Sequence, residues 1–189
     1  DTNNDGSLTP EDRVALGTPY PDFTWGITNT FQIKDFDISF LIQGVQGITV
    51  LNGDVYYNET KKWNKKYTKN RWVSAEHPGD GKTPYQNVKT GHDLMLTDYP
   101  LQNASYACLR NFTVGYTLPA TAARKIKLSG VRFYVSGSNL LYIWGSGYKG
   151  INPESRMTSG NYSSAMISGY QRGGFPLTST ISAGFDINF

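Results

Sequence analysis

The chain opens on Asp1-Thr2-Asn3-Asn4-Asp5-Gly6-Ser7-Leu8-Thr9-Pro10-Glu11-Asp12, a run with oxygen donors at alternate positions. A twelve-residue calcium loop wants oxygens at positions 1, 3, 5, 7, 9 and 12 and a glycine at 6, where the chain turns sharply. Asp1, Asn3 and Asp5 offer side-chain oxygens, Ser7 a backbone carbonyl, Thr9 a direct or water-mediated contact, and Asp12 the closing carboxylate; Gly6 and Leu8 fit the turn and the usual apolar position. Asp12 is shorter than the customary Glu, so bidentate closure is weakened and the expected ion is a loosely held Ca2+, or Mg2+. Such an ion stiffens a loop and does no chemistry. An Asx-rich turn without metal is the alternative reading. Pro10, Glu11 and Asp12 are expected to open a short helical stretch, Arg13 to Leu16, ended by Gly17.

Other reactive residue types are scattered. His77 and His92 lie in a polar stretch with no partner at metal-ligand spacing, and read as surface residues. Cys108 has no base beside it and starts a strand, which favours a small lipid- or core-facing side chain over a nucleophile. As the only cysteine it excludes an internal disulfide, a multi-cysteine zinc site and an iron–sulfur cluster. Asp80, Asp93 and Asp98 form no evident pair, and no phosphate-binding glycine motif occurs. The expectation is therefore a protein without a catalytic residue. Lys61, Lys62, Lys65, Lys66, Lys69 and Arg71, interleaved with Trp63, Tyr67 and Trp72, resemble an anion-binding helix face; a solvated helix anchored by its aromatics is the preferred reading. Tyr56, Tyr57, Tyr85, Tyr99, Trp144, Tyr148 and Tyr162 permit stacking on sugar rings without locating a site. A net charge of +3 is too mild to argue for nucleic acid.

Something must hold these residues, and the pattern points to strands. The 189 residues are 38% apolar and 14% aromatic but only 17% charged. No run approaches the ~18 uncharged apolar residues of a transmembrane helix. Period two is plain in four places. Phe23, Trp25, Ile27, Phe31 and Ile33 alternate with Thr24, Gly26, Thr28, Thr30 and Gln32, and Phe36, Ile38, Phe40 and Ile42 with Asp37, Ser39, Leu41 and Gln43. Only Lys34 and Asp35 separate these two, giving a hairpin. Phe112, Val114, Tyr116 and Leu118 alternate with Asn111, Thr113, Gly115 and Thr117, and Leu177, Ile181, Ala183, Phe185, Ile187 and Phe189 with small or polar residues. A less regular strand runs from Val131 to Leu141, with Val131, Phe133 and Val135 facing one way and Arg132, Tyr134 and Ser136 the other.

Short and long links alternate strictly between these strands. The predicted organisation is a loop over 1–21, a β-hairpin over 22–46, a long loop over 47–105, two strands over 106–141, a loop over 142–176 and a last strand over 177–189. Transmembrane barrels have short periplasmic turns, long outer loops, and strands of ~9 to 11 residues that cross the bilayer at a tilt. A soluble β-sandwich also alternates. Its outer face would carry Lys and Glu, however, where this chain has Thr, Ser, Gly and Asn. Five strands cannot close a barrel, which starts at about eight. The chain begins inside a polar motif, as a cut would leave it, and ends flush on Phe189. The expected fold class is thus all-β, the C-terminal strands of a large antiparallel transmembrane β-barrel with long extracellular loops.

With these segments assembled, the sequence resembles the C-terminal end of the SusC/RagA family of TonB-linked outer-membrane proteins of Bacteroidetes. The matching stretches are Asp1 to Gly6, Pro19 to Gly26 (PYPDFTWG), Phe40 to Gly47 (FLIQGVQG), Asn70-Arg71-Trp72, Leu109 to Pro119 (LRNFTVGYTLP), Val131 to Leu141 (VRFYVSGSNLL), Tyr148 to Glu154 (YKGINPE) and the last strand. Asn152 stands where the family commonly has Asp. The resemblance implies a barrel of 22 strands in the bacterial outer membrane, closed by a plug that this chain lacks. It also implies uptake of oligosaccharides, glycans or peptides under a SusD-like surface lipoprotein lid, with TonB acting through the missing N-terminal part. A non-transporting surface glycan-binding or adhesin β-domain is the alternative function.

Overall fold

The computed structural model describes residues 1–7, 9–54, 69–85, 97–155 and 169–189. Two compact units emerge. One gathers 1–20, 48–102 and 156–172; the other gathers 21–47, 103–155 and 173–189.

The second unit is a five-stranded antiparallel sheet. Its strands are β1 (Phe23–Ile33), β2 (Phe36–Gln46), β5 (Tyr106–Thr117), β6 (Gly130–Trp144) and β8 (Thr180–Asn188), and they pair in the order β1-β2-β5-β6-β8. Chain order and spatial order agree, so the sheet is a meander with β1 and β8 at its edges. Lys34, with φ of 55°, and Asp35 make the tight turn between β1 and β2. The link from β5 to β6 holds a short helix, α1 (Ala120–Lys125).

Register makes each face continuous. One row runs Phe31–Ile38–Val114–Val135–Ala183 and the next Ile33–Phe36–Tyr116–Phe133–Phe185, both wholly apolar or aromatic. Beside the Phe31 row, on the opposite face, lies the row Thr30–Ser39–Thr113–Ser136–Ser182. The apolar rows are bare: Ile181 is 74% and Phe185 64% exposed, and Ile27, Phe31, Val135, Leu141 and Ile143 are exposed as well. An oily, uncovered sheet face is what hydrocarbon contact requires, because water would expel it. Among the described residues no helix is long and apolar enough to cross a membrane, which leaves crossing by strands untouched.

The first unit holds much of the long links. Here β4 (Leu101–Asn103), β3 (Thr49–Asn52) and β7 (Tyr170–Gln171) form a small sheet in that order, with β3 and β7 parallel. Ile48 and Val50 are fully buried, and Asn52 Nδ2 donates to Gln102 Oε1 at 3.0 Å, satisfying two buried amides. In the segment 69–85, Asp80 accepts from the backbone of Lys82 (2.9 Å) and Thr83 (2.7 Å), and Trp72 N donates to Thr83 O.

Three expectations need correction. Only Pro10–Asp12 coils, as a 3-10 turn; the helical stretch expected over Arg13 to Leu16 is absent, since Arg13 is already extended (φ −69°, ψ 129°). The last strand starts at Thr180, not at Leu177. The 47–105 and 142–176 links are not only loop, for they contribute β3, β4 and β7, and β6 reaches Trp144. Lys61, Lys62, Trp63, Lys65, Lys66, Tyr67, Tyr56, Tyr57, His92, Asp93 and Tyr162 lie outside the described residues.

Candidate functional site

The polar face carries two charged clusters. Nearer the β1–β2 turn, Arg132 on β6 donates to Asp37 on β2 through Nε (3.0 Å) and Nη2 (2.6 Å) and to Asp186 on β8 through Nη1 (3.3 Å). Its guanidinium lies 5.3 Å from the centroid of the Tyr134 ring.

The other cluster is built on a bulge. β5 has one residue more than β2 requires: Leu41 faces Asn111 and Ile42 faces Leu109, so Arg110 is unpaired in the ladder. Against β6 the mismatch reverses, and Arg110 stands opposite two residues, Asn139 and Leu140. Asn139 takes up the irregularity in the left-handed region (φ 55°), where asparagine is among the most tolerant residues. Freed from the ladder, Arg110 Nη1 donates to Asn139 Oδ1 (2.7 Å) and to the Tyr142 hydroxyl (2.8 Å), and Nη2 to Glu154 Oε1 (2.5 Å). The Tyr142 hydroxyl donates onward to the same Glu154 oxygen at 2.9 Å. With its amide oxygen turned to the guanidinium, Gln43 accepts from Nη2 (2.8 Å) and Nε (3.2 Å). Cys108 is buried on this same face, in register with Gln43 and Tyr142, which makes it an inward-facing small side chain.

No family model matches the chain. Relatives do. Over 199 aligned residues it is 30% identical to the TonB-dependent receptor P26 of Formosa agariphila, covering all of this chain and 19% of that protein. It is 27% identical to the TonB-dependent receptor SusC of Bacteroides thetaiotaomicron over 82% of this chain and 15% of that one. Among solved structures, the RagAB peptide importer in its closed-closed state superimposes with a TM-score of 0.66 at 21% identity, over 93% of this chain and 18% of that chain. The chain belongs to the SusC/RagA-like TonB-dependent receptors. It corresponds to C-terminal strands of their outer-membrane barrel and spans about a fifth of the length of the curated relatives it matches.

On this receptor wall the exposed apolar rows are the lipid side, so the Arg110 and Arg132 clusters are on the lumen side. Sequence reasoning placed Arg132 on the polar face and missed Arg110, because a bulge leaves no mark in period-two counting.

The acidic loop folds around its own backbone. Asp1 accepts from Asp5 N (3.1 Å) and Gly6 N (2.9 Å), Asn3 Oδ1 from Asp5 N (3.1 Å), and Asp5 Oδ1 from Ser7 N (2.8 Å). Gly6 has φ of 78°, the sharp turn a calcium loop places there. Asp12 faces elsewhere. Its Oδ1 accepts from Thr2 N (2.9 Å) and its Oδ2 from Thr9 N (2.7 Å), closing a capping box with the Thr9 side chain. Those backbone donors, Thr9 first and then Thr2, hold the Asp12 carboxyl below the usual carboxylate range. Among the described residues no three His, Cys, Asp or Glu side chains are grouped to hold a metal. Asp1, Asn3 and Asp5 thus serve backbone donors within their own turn, and Asp12 serves those of Thr2 and Thr9.

Proposed function

We propose that the intact receptor imports a nutrient oligomer, an oligosaccharide or a peptide, across the outer membrane, and that this chain supplies wall and outer loops and no reaction of its own. One observation carries the reading: a meander with a bare apolar face and a hydrogen-bonded polar face, similar over nearly its whole length to the wall of a peptide importer. In that frame the polar rows line an aqueous passage, and the long links face outward. A SusD-like lipoprotein would cover the outer mouth, since RagAB, a two-component importer by its name, is a structural neighbour and SusC a sequence relative. TonB would act through the part of the receptor outside this chain.

Purification of the full-length receptor from its own membrane tests this. Import predicts a species that needs detergent and brings down a surface lipoprotein, and whose deletion abolishes growth on one oligomeric nutrient. A detergent-independent protein, or a deletion strain that grows on every oligomer its parent uses, would instead favour the adhesin reading.

For the first loop we infer a weak calcium site on Asp1, Asn3, Asp5, Ser7 and Thr9, to which Asp12 is added only by leaving Thr2 and Thr9. The Asx turns at Asn3 and Asp5, and the Asp1 carboxylate folded over the backbone of Asp5 and Gly6, support this reading.

A further inference from the structure

We infer that Arg110 and Glu154 form a latch that straps the first stretch of the β6–β8 link, residues 148–155, against the lumen side of the wall. The inference uses the importer reading only to say that this side is the lumen.

The strap leaves the end of β6 and turns back over the polar face. Tyr148 and Pro153 are buried, Tyr148 N donates to Gly145 O (3.2 Å), and Ser155 N to Asn152 O (3.1 Å). A surface loop of this length normally runs outward into water. Tyr148 and Pro153 give this stretch some apolar burial while Ile151 is exposed, and polar bonds add to that hold. Glu154 supplies them. Its Oε1 accepts from both Arg110 Nη2 and the Tyr142 hydroxyl, at 2.5 and 2.9 Å, and both side chains of the ion pair are largely shielded (19% and 29% exposed). Shielded charge-assisted bonds of this kind are among the stronger single contacts available to a loop.

The same hub fixes the far foot of the link. Asn152 Oδ1 accepts from Glu154 N (2.9 Å) while its Nδ2 donates to Phe175 O (3.1 Å). A carboxylate at position 152 would have no hydrogen to give Phe175, so the asparagine does work that an aspartate cannot. Ser179 Oγ donates to Asn139 O at 2.6 Å, and Asn139 is the bulge residue that accepts from Arg110. Wall, outgoing foot and returning foot therefore meet at one set of hydrogen bonds centred on a guanidinium that the bulge released from the ladder. Breaking the Arg110–Glu154 pair frees the outgoing foot and leaves the ladders of β5 and β6 in place.

Hydrogen–deuterium exchange on the full-length receptor in detergent tests the latch. In Glu154→Gln and in Tyr142→Phe, exchange in peptides covering 148–155 should rise several-fold, and about tenfold in Arg110→Gln, as loss of a charged hydrogen bond implies. Peptides from β1 and β2 should not change. The double variant Arg110→Gln/Glu154→Gln should exchange no faster than the faster single, because both remove one interaction. Unchanged exchange over 148–155 in Glu154→Gln, whose side chain lies outside the strands and should not impair folding, would overturn the latch. So would rates in the double variant that multiply the two single effects. Exchange does not depend on transport, so loss of the importer reading would leave this result standing.

Discussion

Arg132 reaches Asp37 over an intervening strand, and it does so because Gly115 has no side chain. The two residues are 95 positions apart on β6 and β2, with β5 between them. Gly115 pairs with Asp37 on one side and Tyr134 on the other. A methyl group built on Gly115 would collide with the Asp37 carboxylate and with Arg132 Nη2. Gly115→Ala should therefore cost up to about 1 kcal/mol by displacing the solvent-screened ion pair. Heat-modified mobility of the full-length receptor on gels checks this: the variant should unfold at a lower temperature. Gly130→Ala should not, since a methyl there meets Asn188 only at ordinary contact distance (3.5 Å).

Removing the cation itself should be worse than removing either anion. Arg132 stands between Asp37 and Asp186, so Arg132→Ala leaves two carboxylates on neighbouring stretches of one face with no countercharge. Both pairs are about a third exposed or more, so solvent screens them and the loss is expected near 1 kcal/mol. Asp186→Asn should cost less, because its bond to Arg132 is the longer one. Melting midpoints of the three single variants, Arg132→Ala, Asp37→Asn and Asp186→Asn, should fall in that order of severity; an Asp186→Asn effect as large as that of Arg132→Ala would contradict the geometry.

The two faces should respond oppositely to charge. Arginine at Ile38 or Ile181 would sit in hydrocarbon, at about 2–4 kcal/mol near the bilayer midplane, whereas arginine at Ser39 or Ser182 would sit in the wet lumen. Outer-membrane yield of the four variants should separate into two low and two near wild type. Equal yields would mean that the lipid side has been assigned wrongly.

Strand identity and facing were legible in the sequence because a two-sided wall forces alternation, and the rows through Phe31 and Thr30 obey it across all five strands. The features missed are those that alternation cannot encode. Arg110 breaks the period by one residue, and the register recovers only because Asn139 accepts a positive φ. Strands β3, β4 and β7 have four, three and two residues, too few to show a period. Glu154 falls in a stretch that resembles the family, but nothing in its neighbourhood points to an arginine 44 positions earlier. In the first loop the spacing of donors was readable, yet the direction of Asp12 depends on Thr2 and Thr9, whose backbone groups no spacing rule weighs.

Asp80 organises the 69–85 segment through a carboxylate, and this gives it a pH limit. The Lys82 and Thr83 backbone N–H groups hold its carboxyl below the ordinary carboxylate value. A lowered folded-state pKa means that the stabilisation is fully present above the unfolded value, ~3.9, and fades as pH falls through the folded value. Trp72, whose N–H bonds Thr83 O, reports the change. The difference in emission between the parent receptor and Trp72→Phe should be constant from pH 7 to 5 and shift only in strong acid. Asp80→Ala should show the shifted spectrum already at pH 7.

Calcium binding at the first loop, as proposed, would have a built-in opponent, and this sets the expected order of its variants. Asp12 already satisfies Thr2 and Thr9, so a cation can recruit it only by breaking those bonds, whereas Asp1, Asn3 and Asp5 are gathered by turns that leave oxygen lone pairs free. Asp1→Ala/Asp5→Ala should abolish any rise of the receptor's melting temperature on adding calcium while leaving the strands in place. Asp12→Asn should remove little of that rise, because the residue serves the capping box first. Asp12→Glu should increase it, since one more methylene lets a carboxylate approach the ion from outside the box. Melting curves that respond identically to calcium and to chelator in all three variants and the parent would show a turn held by Asx bonds alone.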